Sequence, residues 1–167
     1  MDTKRMAKLA LLTCMALIIF IVEAQLPALC PVPGVKLGLA NIVTVYAMFA
    51  MGPLDALLIL AARILLGAVF SGRVVALLYS MAGGALCYLA MLLLRRLLSQ
   101  DQIWVASVIG AVFHNIGQIL VAMALTGSVA LIGYLPVLLV SGMIAGLFTG
   151  LCAQKLIGHL RRTRAIK

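Results

Sequence analysis

A chain of 167 residues that is 65% hydrophobic and 10% charged, with mean hydropathy +1.23, is too apolar for an ordinary soluble domain, where about 45–50% apolar and 25% charged is usual. Its net charge of +9 does not indicate a nucleic-acid binder, because the basic residues gather at the two termini and at Arg95 and Arg96, between apolar runs; they read as topology signals and lipid-headgroup contacts, with no nucleic-acid partner. The expected class is all-α integral membrane: apolar stretches of about 20 residues suffice to cross a ~30 Å hydrocarbon core as helix, and the alternating ten-residue segments of a membrane barrel are absent.

The first expected span covers about 7–26 and follows Lys4, Arg5 and Lys8; it is longer than a signal-peptide core and lacks a clear cleavage site, so a retained helix is expected. Pro27 and the run Cys30-Pro31-Val32-Pro33-Gly34 end it. A second span over about 37–51 is short for a full crossing, and Gly52-Pro53 marks the reversal into a third, about 54–70, which contains Arg63. Ser71-Gly72-Arg73 connects tightly to a fourth, about 74–94, stopped by Arg95-Arg96. The fifth, about 103–125, carries His114, Asn115 and Gln118. After Thr126-Gly127-Ser128 a last apolar segment is interrupted by Gly133 and Pro136, which suggests a short surface helix leading into a sixth span over about 134–154.

The spans form one domain over 1–167, a bundle of about six helices. With the N-terminus inside, Lys4, Arg5, Lys8, Arg95, Arg96, Lys155, Arg161, Arg162, Arg164 and Lys167 are cytoplasmic, Lys36 and Arg73 external, and Arg63 buried. That asymmetry favours an N-in/C-in protein of an inner-membrane type.

Ionisable groups at membrane depth cost at least about 2.5–3.5 kcal/mol on insertion scales and so point to function. Here they fall in the outer half: Glu23 near the outer end of the first helix, Lys36 and Asn41 near the outer end of the second, Arg63 about two turns from the outer end of the third, and Tyr134 before the sixth. Along the fifth helix Ser107, Ala111, His114, Gln118 and Ala122 recur every three or four residues as one stripe, flanked by Asn115. The pattern predicts an outward-opening polar pocket for a small organic solute, lined by Glu23, Lys36, Asn41, Arg63, His114, Asn115, Gln118 and Tyr134. The alternative is that Arg63 pairs with Glu23 and the other groups only bind helix to helix. Gly142, Gly146 and Gly150 make GxxxGxxxG on the last helix, expected to pack inside the bundle or else against another subunit.

Several chemistries have no motif. A nucleophile elbow, HExxH and GxxxxGK[ST] are all missing, and the four acids, Asp2, Glu23, Asp55 and Asp101, are never neighbours. No catalytic residue, metal site or cofactor is expected. Cys14, Cys30, Cys87 and Cys152 are scattered without CxxC and read as packing residues.

The stretches Pro33-Gly34-Val35-Lys36-Leu37-Gly38-Leu39-Ala40-Asn41, Phe70-Ser71-Gly72, Leu78-Tyr79-Ser80-Met81-Ala82-Gly83-Gly84, Gly110-Ala111-Val112-Phe113-His114-Asn115-Ile116-Gly117-Gln118 and Tyr134-Leu135-Pro136 resemble the bacterial Gx transporter family, often named heptaprenyl diphosphate synthase component I. That family is similar in size and helix pattern to the S-components of energy-coupling factor transporters. The resemblance implies solute binding near the outer face and a separate membrane coupling subunit with ATPases. The AxxxA contact motif of S-components is represented only by Ala10 and Cys14. A prenyl diphosphate synthase needs acid clusters for magnesium, so the synthase name implies association with quinone or isoprenoid metabolism rather than activity. The competing expectation is accordingly a non-catalytic accessory subunit of a quinone, isoprenoid or flavin-linked redox system.

Overall fold

In a computed structural model of the chain, residues 2–25, 36, 38–72 and 74–163 are described. Pro27, the 30–34 turn, Arg73, Arg164 and Lys167 lie outside them. Among the described residues 88% are helical and none is in a strand. Six α-helices follow one another: α1 (Thr3–Glu23), α2 (Asn41–Ala50), α3 (Pro53–Ser71), α4 (Val74–Leu94), α5 (Ile103–Thr126) and α6 (Leu135–Arg162). Short 3₁₀ turns, Gln100–Gln102 and Val129–Tyr134, precede α5 and α6; the second stands where a surface helix was expected.

Local chemistry sets the ends. Asp2 caps α1, accepting from the Lys4 N–H. Pro53 opens α3, where its missing N–H costs nothing, and Pro136 sits likewise in the first turn of α6. His159, Arg161 and Arg162 occupy the last turn of α6, complementing the helix dipole.

The helices alternate in direction. Leu9 from the start of α1, Phe49 from the end of α2, Ala56 from the start of α3, Met91 from the end of α4, Ile103 from the start of α5 and Ile157 from the end of α6 all share one apolar core. Lys4, Lys8, Arg95, Arg96, Lys155, Arg161 and Arg162 are exposed at this same end, which we call the basic end. A smaller apolar cluster, Tyr79, Ile119, Ala122 and Leu138, closes the opposite end. Polar residues lie between the two.

Five helical stretches are long and apolar enough to cross a membrane. Their outward faces are apolar, as at Val69 (76% exposed), Phe70 (70%) and Phe148 (64%); a surface of this kind is matched to lipid tails, not water. The chain is a multi-pass, all-α membrane bundle.

The second helix departs from expectation. It is 10 residues long, or about 15 Å, half a hydrocarbon core. Its start, Asn41, faces Arg63, ten residues into α3, so α2 begins at mid-depth rather than at the outer end. Gly38 ends any helical path upstream with φ +81°, a conformation that glycine alone adopts freely. Non-helical backbone at this depth needs partners within the protein. It finds them: the Lys36 N–H donates to Gln118 Oε1 (3.3 Å) and the Gly38 N–H to Glu23 Oε1 (2.5 Å).

The glycine stripe of α6 faces α5. A Cβ added at Gly146 would stand 2.9 Å from the Ala111 Cβ, and one at Gly150 would stand 2.6 Å from the Trp104 Cα. The two backbones touch where those side chains are missing, and Ser107 and Thr149 hydrogen bond across the seam (3.1 Å). Gly117 brings α5 equally close to α4, with an added Cβ 2.7 Å from the Ala82 carbonyl oxygen.

Candidate functional site: a polar layer at mid-depth

α1 delivers Phe20 and Glu23 to one side of the layer, three residues apart and so on one helical face. Glu23 is 5% exposed, and no Arg63 nitrogen comes within 4 Å of its carboxylate. Its carboxylate caps the chain ahead of α2, accepting from Gly38 and lying against the Ala40 amide. The arrangement resembles an N-cap reached from another helix, with a charge-assisted bond in place of a local one. The Glu23–Arg63 pairing of the alternative reading is here an interaction at longer range, beside the bond to Gly38.

α3 delivers Arg63, which is 3% exposed. Its Nη2 donates to Asn41 Oδ1 at 3.4 Å, and its Nε has no partner. The Phe20 ring lies under two cations, 3.5 Å from Lys36 Nζ and 5.9 Å from the Arg63 Cζ; such faces attract cations through the ring quadrupole. Among the described residues the one ion pair within 4 Å is far away, between Arg5 and Asp55 at the basic end (2.5 Å).

α5 supplies the rest. His114 is wedged between the glycines of two neighbours: a Cβ at Gly38 would stand 3.0 Å from its Cδ2, and one at Gly83 of α4 2.7 Å from its Nδ1. Asn115, one residue on, turns to α6, where Nδ2 donates to the Leu138 carbonyl. Gln118 holds the Lys36 backbone. Thr44 Oγ1, Arg63 Nε, His114 Nδ1 and Asn115 Oδ1 are all buried without hydrogen-bond partners.

Glu23, Lys36, Asn41, Arg63, His114 and Gln118 thus stand in one connected layer, and Asn115 borders it. Tyr134 does not join: it is 40% exposed at the end of the second 3₁₀ turn. A cavity of about 10 Å³ adjoins the layer, lined by Gly38, Asn41, Cys87, Ser107 and Thr149 among others. That is the scale of one water molecule. Beside it Gly38, held by Glu23, lies against the His114 ring.

Phe20 and Thr44 escaped the sequence reading. The signal for both was helical spacing, Phe20 three residues before Glu23 and Thr44 three after Asn41. Among the described residues no group of three or more His, Cys, Asp or Glu could hold a metal ion, and Cys14, Cys87 and Cys152 are free thiols.

A family model described as heptaprenyl diphosphate synthase component I matches residues 12–156, most of the chain. The chain belongs to that family. The match runs from α1 into the basic end of α6 and takes in every residue of the polar layer. No curated protein and no solved structure matches the chain.

Proposed function

We propose that the chain is a solute-binding protein of a bacterial cytoplasmic membrane, which takes a small organic molecule at the mid-depth polar layer and leaves any energy input to partner subunits. One observation carries the reading: four buried polar atoms without partners, on Thr44, Arg63, His114 and Asn115, gathered around a helix that stops half-way through the bundle. Each such atom costs about 1–3 kcal/mol, a cost that packing alone would remove by substitution. A solute that hydrogen bonds to them recovers it. Interrupted helices at the bilayer midplane are also where transporters bind their substrates. Entry would require Gly38 to part from Glu23 and Lys36 from Gln118.

The second reading is a non-catalytic accessory subunit of an isoprenoid or quinone system. It is favoured by the family's description as one component of a synthase, together with the absence of neighbouring acids that could hold magnesium diphosphates. In that case the chemistry belongs to a partner chain.

Native mass spectrometry of the protein extracted gently from its own membrane separates the two. A small molecule retained by the wild-type chain and lost from both Arg63→Ala and His114→Ala, with the bundle still folded, is the expected result. A partner subunit retained with no small molecule would favour the accessory role, and a solute kept by both variants would remove the site.

A further inference from the structure

The polar layer carries more positive than negative charge, and no other acid in the chain can correct this. Of four acids, Asp55 is held by Arg5 at the basic end, while Asp2 and Asp101 are exposed beside the starts of α1 and α5. Only Glu23 remains. It serves two cations, Lys36 and Arg63, both of which act on its charge and both of which lie at the Phe20 ring. With His114 counted as neutral, two cations against one carboxylate leave a single positive charge.

Glu23 is moreover committed to the backbone at Gly38. Arg63 therefore has no carboxylate within 4 Å, one long hydrogen bond, and an unused Nε–H edge, at a position 3% exposed. A guanidinium presents that edge as a planar fork suited to an oxyanion. In a low-dielectric layer an unmatched charge draws its counter-charge from whatever enters.

We infer that the solute is a monoanion whose carboxylate-type oxyanion seats on the Nε edge of Arg63. This sharpens the reading of the layer as a solute site and rests on it. Neutralising Glu23 should strengthen such binding, since it removes the one negative charge the solute must share the layer with. Glutamine at position 23 can still accept from Gly38, so that change alters charge without removing the cap.

The test uses the full chain in lipid nanodiscs at constant ionic strength, with three matched pairs as probes: acetate and acetamide, benzoate and benzamide, 2-naphthoate and 2-naphthamide. Thermal stabilisation as a function of concentration gives each affinity. The expected result is that at least one carboxylate binds on the order of tenfold or more tightly than its amide. That preference should vanish in Arg63→Gln, persist in weakened form in Arg63→Lys, rise several-fold in Glu23→Gln, and stay unchanged in Lys155→Gln, which alters an exposed lysine at the basic end. Amides binding as well as carboxylates, with loss in Arg63→Gln, would overturn the anion assignment and leave the solute site standing. Carboxylate binding that survives Arg63→Gln would overturn it as surface attraction, and no binding by either member of any pair would overturn both readings.

Discussion

The two halves of the bundle are built by different means. In α4, α5 and α6, glycines let backbone meet backbone, and a methyl added at Gly117 or Gly150 would run into main chain. In α1, α2 and α3 the joints are side chains: Glu23 on Gly38, Arg63 on Asn41, Arg5 on Asp55. Backbone seams cannot open by changing a rotamer, whereas side-chain joints can. Rigidity and freedom to yield are thus divided between the halves, and His114 and Gln118 of α5 stand on the rigid one and meet the chain ahead of α2 at Gly38 and Lys36.

The largest expected effect breaks the rigid half. Gly150→Ala places a Cβ 2.6 Å from the Trp104 Cα and 2.7 Å from the Ser107 Cβ, so the helices must separate, at about 3 kcal/mol. Gly133→Ala, where an added Cβ meets nothing within 4 Å, serves as the control and should stay within about 0.5 kcal/mol. Reversible unfolding in mixed micelles measures both. Equal stabilities for the two variants would mean that the α5–α6 seam is looser than its geometry.

How much of this was legible in the sequence depends on whether the partners were local. The α5 stripe was visible because Ser107, Ala111, His114 and Gln118 repeat at the helical period, and whatever face one of them takes the others share. The glycine stripe of α6 was visible for the same reason. The half-length of α2 was not, because residues 37–40 are as apolar as the helix they precede. What keeps residues 38–40 out of the helix is a positive φ at Gly38 and bonds to Glu23 and Gln118, 15 residues from Gly38 and 82 from Lys36 respectively. Glu23 and Arg63 were read as lining groups of one pocket, with a pair between them as the alternative, because opposite charges at similar depth attract. The sequence does not reveal that unpaired backbone amides at the same depth compete for that carboxylate.

The middle-sized effect concerns that competition. Glu23→Ala leaves the Gly38 N–H without its acceptor, and a charge-assisted bond of this type is worth about 2 kcal/mol. Because the loss is local, the change should appear first in hydrogen exchange. Amides 38–42 should exchange on the order of tenfold faster or more, with the α5–α6 seam unaffected. Glu23→Gln should restore most of the protection. Protection unchanged in Glu23→Ala would mean that the segment ahead of α2 is held by Gln118 and packing alone.

The smallest effect tests the far end of the yielding half. Arg5 reaches Asp55 through both Nε (2.9 Å) and Nη2 (2.5 Å), joining the basic ends of α1 and α3. The Arg5 side chain is 44% exposed and that of Asp55 11%, so solvent screens the pair. Asp55 also stands in the first turn of α3, where the helix dipole continues to favour its charge once Arg5 is gone. Arg5→Ala should accordingly cost about 1 kcal/mol, with a similar coupling energy in a double-mutant cycle with Asp55→Ala. Solute affinity is the sharper readout, because α1 carries Phe20 and Glu23 at its other end. If the side-chain joints act independently, Arg5→Ala leaves binding at the polar layer unchanged. A loss as large as that of Arg63→Ala would instead make α1 a rigid lever, with an ion pair at the basic end setting the geometry at mid-depth.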